Sequence, residues 1–279
     1  MDIKKEGSLS APNRDIVDWK SKSYLDEKAL DKEMRRQFEV CHSCRRCFNL
    51  CDSFPTLFDL IDDSPNESVG DLSTKDFEEI TDKCTLCDMC FMSKCPYVPP
   101  HEFNIDFPHL MLRYRTLQDK QKKLPQVPKE LAKIDRNANL TKISTRLANW
   151  ASNKKNKLTR GPLEFFTGVD KNVELPKFEK NSYHQLSNSI KTKVNANAPA
   201  FGRKAAVYTT CYVNYNNSKV GVAAQKVLNH NGVEIISAYP GCCGMPYLEQ
   251  AQHEKVKQQS DKVSKELCSL IDKGYDIVT

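Results

Sequence analysis

CHSCRRCFNLC, residues 41–51, and CTLCDMCFMSKCP, residues 84–96, carry eight of the twelve cysteines of this 279-residue chain. In each stretch three cysteines recur every third residue, Cys41, Cys44 and Cys47 in the first and Cys84, Cys87 and Cys90 in the second. A fourth trails each triplet, Cys51 after three residues and Cys95 after four. The two runs, separated by 32 residues between Cys51 and Cys84, form an internal duplication. Three thiolates so spaced on a tight turn can each reach a different corner of one polynuclear centre. The fourth corner then needs a sulfur from elsewhere.

That spacing fits a pair of [4Fe–4S] cubanes. In proteins with two such clusters the last cysteine of one run ligates the cluster of the other. On this pattern one cluster takes Cys41, Cys44, Cys47 and Cys95, and the other takes Cys84, Cys87, Cys90 and Cys51. Structural zinc is the competing reading, but it usually takes two separated Cys-x2-Cys pairs around one tetrahedral ion. Two triplets with trailing fourth cysteines fit that less well. Free thiols and a disulfide framework are the remaining alternatives, the latter disfavoured in a chain of this length with no export signal.

Details of the runs carry further expectations. Pro96 turns the chain away after the last ligand, whereas Asp52 stands at the equivalent place in the first run. The additional residue before Cys95 alters the loop shape there. Arg45 and Arg46 lie between ligands, where positive charge would favour the reduced cluster; alternatively both are simply solvated. His42 reads as a surface residue, because the cysteine set is already complete.

The surrounding chain narrows the setting. It holds no run of 18 apolar residues, so no membrane-spanning helix is expected. The N-terminus is polar, with no apolar export segment, which places the cysteines in a reducing, cytoplasmic compartment. The net charge of +6 is unevenly spread: between Arg113 and Arg160 stand 14 Lys and Arg against 3 Asp and Glu. Such a stretch can meet nucleic acid, anionic lipid or an acidic partner. Nucleic acid is the least favoured, since few aromatics are present to stack on bases.

Periodicity outlines the elements. Residues 1–24 read as a polar arm. Leu25, Leu30, Met34 and Phe38 recur at near-helical spacing and bring a helix to Cys41. A short helix is expected over 74–81, and a loop over 59–71, where Ser64, Pro65, Asn66 and Gly70 cluster. After the prolines of 96–100, helix resumes past Pro108. Within the ambiguous middle, Leu131, Ile134, Ile143, Leu147 and Trp150 outline a basic amphipathic helix, packed on its own domain or offered to a membrane surface or partner. From Lys204 the pattern becomes strand 205–208, helix 218–229, strand 233–238 after Asn231-Gly232, helix 249–272 with Gly274 as cap, and strand 275–278. This β-α-β-α-β order predicts a parallel sheet. Its third strand falls at the end of the chain, which suggests a fragment of a longer protein.

A second cysteine group sits in that sheet. Cys211 ends its first strand, and Cys242-Cys243-Gly244 follows the second. The carboxyl ends of parallel strands are where open α/β sheets bind ligands, so Cys211, Cys242 and Cys243 are candidates for a redox-active thiol site or a further cluster. Cys268, among Leu267, Leu270 and Ile271, reads as core.

The two cysteine runs, together with Thr210-Cys211 and YPGCCGMP at 239–246, resemble the iron–sulfur oxidoreductases that carry a cysteine-rich CCG domain. These include the iron–sulfur subunits of anaerobic glycerol-3-phosphate dehydrogenase and of glycolate and lactate oxidases, and heterodisulfide reductase subunits. FPHLMLRY at 107–114 resembles the glycerol-3-phosphate branch. The resemblance implies an α+β multidomain fold: an α-helical two-cluster ferredoxin domain at 1–115, a basic helical or irregular connector at 116–200, and a truncated α/β parallel-sheet CCG domain at 201–279. It implies electron transfer from a flavoprotein dehydrogenase through two [4Fe–4S] clusters toward a quinone, with segment 113–160 as a peripheral contact on the inner membrane face or with a subunit. In the family the CCG motif continues with further cysteines and usually repeats. Cys211, Cys242 and Cys243 therefore correspond to its first half, where the complete motif would add an iron–sulfur centre. The alternative is a heterodisulfide reductase-like thiol/disulfide oxidoreductase acting at these three cysteines.

Overall fold

Leu30, Met34 and Phe38 lie four residues apart and are essentially inaccessible to solvent in the computed structural model, which describes residues 12–190 and 193–279. They form the buried stripe of α1 (Glu27–Cys44). Asp26 caps its start by accepting from the Ala29 N–H at 2.7 Å. Of the polar arm expected over 1–24, residues 1–11 lie outside the described residues.

Three more helices complete the first cysteine-bearing unit: α2 (Ser53–Asp62), α3 (Thr74–Asp82) and α4 (Phe107–Lys120). The capping box of Ser73 and Asp76 starts α3. Asp106 caps α4, with Pro108 in its first turn. Phe54, Leu57, Phe58 and Ile61 from α2, Phe77 and Ile80 from α3, and Phe107 and Met111 from α4 are all buried. Aromatic contacts join them, Phe38 to Phe77 at 5.4 Å edge-on and Phe54 to Phe107 at 4.6 Å. The loop expected over 59–71 needs correction. Residues 59–62 are the last turn of α2, and Val69–Asp71 form a 3-10 turn. Pro55 is tolerated because it lies in the first turn of α2, where its missing N–H has no helical partner.

The chain divides into two compact units, one running to Leu124 and including Glu249–Gln252, the other comprising Pro125–Leu248 and His253–Thr279. In the second unit α5 (Gln126–Leu131), α6 (Ile134–Ile143), α7 (Thr145–Ala151) and α8 (Lys157–Thr167) come first. The single amphipathic helix expected through Leu131–Trp150 is therefore three shorter ones. Ser144 leaves helical geometry between α6 and α7, with φ −148°. Leu131, Ile143, Leu147 and Trp150 are exposed, while Ala132 and Ala138 are buried instead. The buried Arg160 side chain of α8 gathers the following loop by donating to the carbonyls of Asp170, Lys171 and Val173.

The sheet follows α9 (Tyr183–Ser187). Its elements are β1 (Lys204–Tyr208), α10 (Cys211–Tyr215), α11 (Ser218–His230), β2 (Glu234–Ala238), α12 (Met245–Glu249), α13 (His253–Ile271) and β3 (Asp276–Val278). The order is β2-β1-β3 and both pairings are parallel, with Val207 opposite Ser237 and Val278. Ala205, Ala206 and Val207 are buried in the central strand, as expected of a parallel strand covered on both faces. Ala206, Ala238 and Leu270 form a small core with Leu267 and Ile277 packed against it. Cys268, expected in that core, is exposed. Neighbours in sequence are about 100° apart around a helix, so Leu267 and Leu270 can face the sheet while Cys268 does not.

One close approach anchors α9 on α11. Tyr183 is completely buried, and a Cβ added at Gly221 would come within 2.5 Å of its ring. The Tyr183 hydroxyl donates to Gln225 Oε1 at 3.1 Å. We expect Gly221→Ala to lower stability by about 1–3 kcal/mol through overpacking. Chemical denaturation would measure it, and an unchanged midpoint would show that the Tyr183 ring can step aside.

Candidate functional site

Cys41 and Cys44 lie one turn apart at the end of α1. The helix stops at Arg45, which adopts left-handed geometry with φ 51° while its N–H bonds the Cys41 carbonyl at 2.8 Å. That reversal brings Cys47 back toward the same side. Leu86 and Asp88, between cysteines of the second run, also have positive φ, 52° and 60°. Non-glycine residues in this region cost about 1–3 kcal/mol each and tend to mark functional loops. The additional residue before Cys95 is absorbed by a π-turn at Cys90–Lys94, in which the Cys95 N–H bonds the Cys90 carbonyl at 2.9 Å.

The first triplet and the trailing cysteine of the second run line one cavity. Cys41, Cys44, Cys47 and Cys95 line it together with Phe54, Phe58 and Arg46. Burial, then the neighbouring sulfurs of Cys95, Cys47 and Cys44, push the Cys41 thiol well above the ordinary range. Burial likewise raises Cys95, with Cys44 adding to the rise and Arg46 opposing it. In the second group, burial raises Cys84 to about 11, and the charges acting on it include Cys51 and Cys87. Cys90 is raised by burial and then by Cys47, Cys84, Cys41 and Cys51. The two groups are thus contiguous through Cys90.

This chemistry suits a metal-sulfur centre. Half-buried thiols that oppose one another's ionisation are poor nucleophiles by themselves, and thiolates form there when a cation is shared among them. Among the described residues, no three His, Cys, Asp or Glu side chains converge on a point where a single ion could sit.

The arginines between the cysteines of the first run separate. Arg46 lines the cavity and opposes the rise of the Cys95 thiol. Arg45 pairs with Asp62, which also accepts from His42 at 2.8 Å. Those two partners hold the exposed Asp62 carboxylate down to about 2. Two further cations had no signal in the cysteine spacing. Arg115 of α4 is buried and donates to the carbonyls of Thr81 and Cys84. Arg14 donates to both oxygens of Asp88 at 2.8 and 3.0 Å and of Asp106 at 2.7 and 2.9 Å. Its guanidinium also lies 4.0 Å from the centre of the Phe91 ring. Arg14 thereby ties the arm to the strained residue between Cys87 and Cys90. Arg14→Ala is expected to cost about 2 kcal/mol and to speed alkylation of Cys87 in the metal-free protein. Denaturation and mass spectrometry of alkylated peptides would measure both effects.

The second cysteine group lies beyond β1 and β2. Cys211 opens α10 just after β1, behind the cap of Thr210. Cys242 is buried, Cys243 exposed and Cys211 half-buried. Their thiols form a hydrogen-bonded chain in which Cys243 donates to Cys242 and Cys242 to Cys211. Donation from Cys242 lowers Cys211 to about 7, while the same bond raises Cys242 to about 11. Cys243 is raised chiefly by its own donation to Cys242.

A residue outside the sheet completes this neighbourhood. Asp135 of α6 accepts from the hydroxyls of Tyr239 at 2.8 Å and Tyr215 at 3.0 Å, and from the Cys242 N–H at 2.9 Å. Burial, then the charge of Asp135, holds both phenols above their ordinary range, so they remain donors. Asp135 carried no signal in the sequence, since it stands 107 residues from Cys242.

Residues 205–279 match the family of cysteine-rich CCG domains. No solved structure matches the chain. The chain therefore carries a CCG domain, a type found in iron–sulfur oxidoreductase subunits, and its twelve cysteines suit iron–sulfur centres.

Proposed function

We propose that the protein is an iron–sulfur electron-transfer subunit with two [4Fe–4S] clusters. Cys41, Cys44, Cys47 and Cys95 hold one, and Cys84, Cys87, Cys90 and Cys51 hold the other. The observation that carries this reading is the shared cavity, in which a sulfur from the second run joins the three of the first. Bound there, the clusters would supply one-electron carriers. The chain's own residues provide the setting: Phe54 and Phe58 exclude water, while Arg46 and Arg115 place positive charge beside the sulfurs. Positive charge favours the more negative, reduced form and raises the potential.

The donor in this reading is a flavoprotein dehydrogenase of the glycerol-3-phosphate type, and the acceptor is a quinone. The resemblance of the cysteine motifs and of 107–114 supports both. The basic segment 113–160 serves as the peripheral contact with membrane or subunit. Its exposed Leu140, Ile143, Leu147 and Trp150 support that role. Among the described residues no helix is long and apolar enough to cross a membrane. Cys211, Cys242 and Cys243 form part of a terminal site.

The thiol chain at the CCG cysteines favours a second reading, a disulfide reductase of the heterodisulfide type. There the Cys211 sulfur, lowered to about 7, would be the attacking group. Two electrons from the clusters and two protons would convert a substrate disulfide to two thiols. Reduction of a disulfide substrate with an artificial electron donor, abolished by Cys211→Ser, would favour this reading over a pure relay.

Paired substitutions test the crossed ligation. Anaerobically reconstituted protein should hold about eight irons, and reduction should give the EPR signal of two interacting clusters. Cys44→Ala with Cys95→Ala strikes one cluster and should leave about four irons, whereas Cys44→Ala with Cys51→Ala strikes both and should leave almost none. The opposite pattern would show that each run completes its own cluster. Colourless protein after reconstitution would end the iron–sulfur reading.

A further inference from the structure

The turn that presents Cys242 and Cys243 is held at three backbone groups of two residues, Gly241 and Cys242. Tyr208 of β1 donates to the Gly241 carbonyl at 3.0 Å, Asp135 of α6 accepts from the Cys242 N–H at 2.9 Å, and Gln259 of α13 donates to the Cys242 carbonyl at 3.2 Å. The charged member of this set comes from the connector rather than from the sheet domain. Its fit against the turn is close. A Cβ at Gly241 would come within 3.2 Å of Asp135 Oδ2, so a side chain there would press on the carboxylate.

Asp135 is itself restrained. Oδ1 receives two phenolic hydroxyls, from Tyr215 and Tyr239, and Oδ2 receives the backbone N–H. A carboxylate is an acceptor only, and hydrogen bonds to an ionised acceptor are stronger than those between neutral groups. The rings of Tyr215 and Tyr239 pack edge to face at 5.5 Å, and Tyr239 stacks near Tyr208 at 6.4 Å. Tyr215 closes α10, the helix that Cys211 opens. One carboxylate therefore bonds both the helix that bears Cys211 and the turn that bears Cys242 and Cys243.

From this we infer that Asp135 is a positioning residue of the cysteine site, holding the Cys211 helix and the Cys242–Cys243 turn in a common register so that the three sulfurs are presented together. The inference rests on the reading of those cysteines as a redox or cluster site. It assigns part of that site to the connector, 70 residues before the start of the matched domain at residue 205.

The test uses the full chain in its metal-free form, with iodoacetamide as the probe and mass spectrometry to read each cysteine. Asp135→Ala removes every bond and should raise alkylation of the buried Cys242 about tenfold, the effect of losing roughly 1.4 kcal/mol of local protection. Asp135→Asn keeps an oxygen for the Cys242 N–H and offers an amide that the phenols can accept from, so it should stay within about threefold of the wild type. Equal protection of Cys242 in Asp135→Ala and wild type would overturn the inference, as would an Asp135→Asn variant as open as the alanine. Hydrogen exchange of the wild-type Cys242 amide covers the case in which the alanine variant does not fold: slow exchange is expected, and exchange at the rate of an exposed loop would refute the bond. A separate arm addresses the underlying reading. If Cys211→Ser/Cys242→Ser/Cys243→Ser relays electrons and reduces disulfides like the wild type, the site has no redox role and Asp135 positions nothing of functional use.

Discussion

Crowded sulfur is the constraint around which this molecule is built. A thiol brought out of water resists ionisation, and each neighbouring sulfur adds to that resistance. Cys41 meets three other sulfurs and Cys90 meets four. Such groups are chemically quiet until a cation is shared among them. A metal centre bound there would couple its binding energy to the fold, because cysteines of both runs line the cavity. The cavity is lined from α1, α2 and the loops carrying Cys47 and Cys95, segments separated in the chain.

The local strain of the cysteine loops follows from that demand. Arg45, Leu86 and Asp88 all take left-handed geometry without being glycine. Each such residue reverses the chain between cysteines of a run. The surrounding cations offset part of the electrostatic cost. Arg115 reaches the Cys84 carbonyl from inside the unit, while Arg14 clamps Asp88 from the arm. Arg46 faces the cavity, whereas Arg45 is committed to Asp62. Of two adjacent arginines with identical chemistry, only one is placed to influence a bound group.

What could be read from the sequence depended on the range of the interaction. Cysteine spacing is local, so the grouping of Cys41, Cys44 and Cys47 was legible. The joining of Cys95 to them was accessible only by analogy with other two-cluster proteins. The parallel sheet was legible for the same reason, since strand 205–208, the Asn231-Gly232 turn and Gly274 are local signals. Helix α2 was missed although Phe54, Leu57, Phe58 and Ile61 mark its buried face, because the turn residues Ser64–Gly70 dominated the reading. The middle segment misled in the opposite way. Its large apolar residues suggested one packed helix, but Ala132 and Ala138 are the positions buried. Arg14 and Asp135 could not be found at all, because their partners lie 74 to 107 residues away and nothing nearby marks them.

Asp135 also changes how the boundary of the CCG domain should be drawn. The matched region begins at residue 205 and contains all three cysteines of the second group. Yet Tyr215, Tyr239 and the Cys242 amide all direct their hydrogens at a carboxylate outside it. A donor aimed at nothing in a half-buried site costs about 1–3 kcal/mol, so three such donors would make the region from 205 onward an incomplete site by itself. The connector helix α6 therefore belongs with the sheet on energetic grounds. Its charge opposes ionisation of the Cys211 thiol, whereas that of Arg46 favours ionisation of the Cys95 thiol.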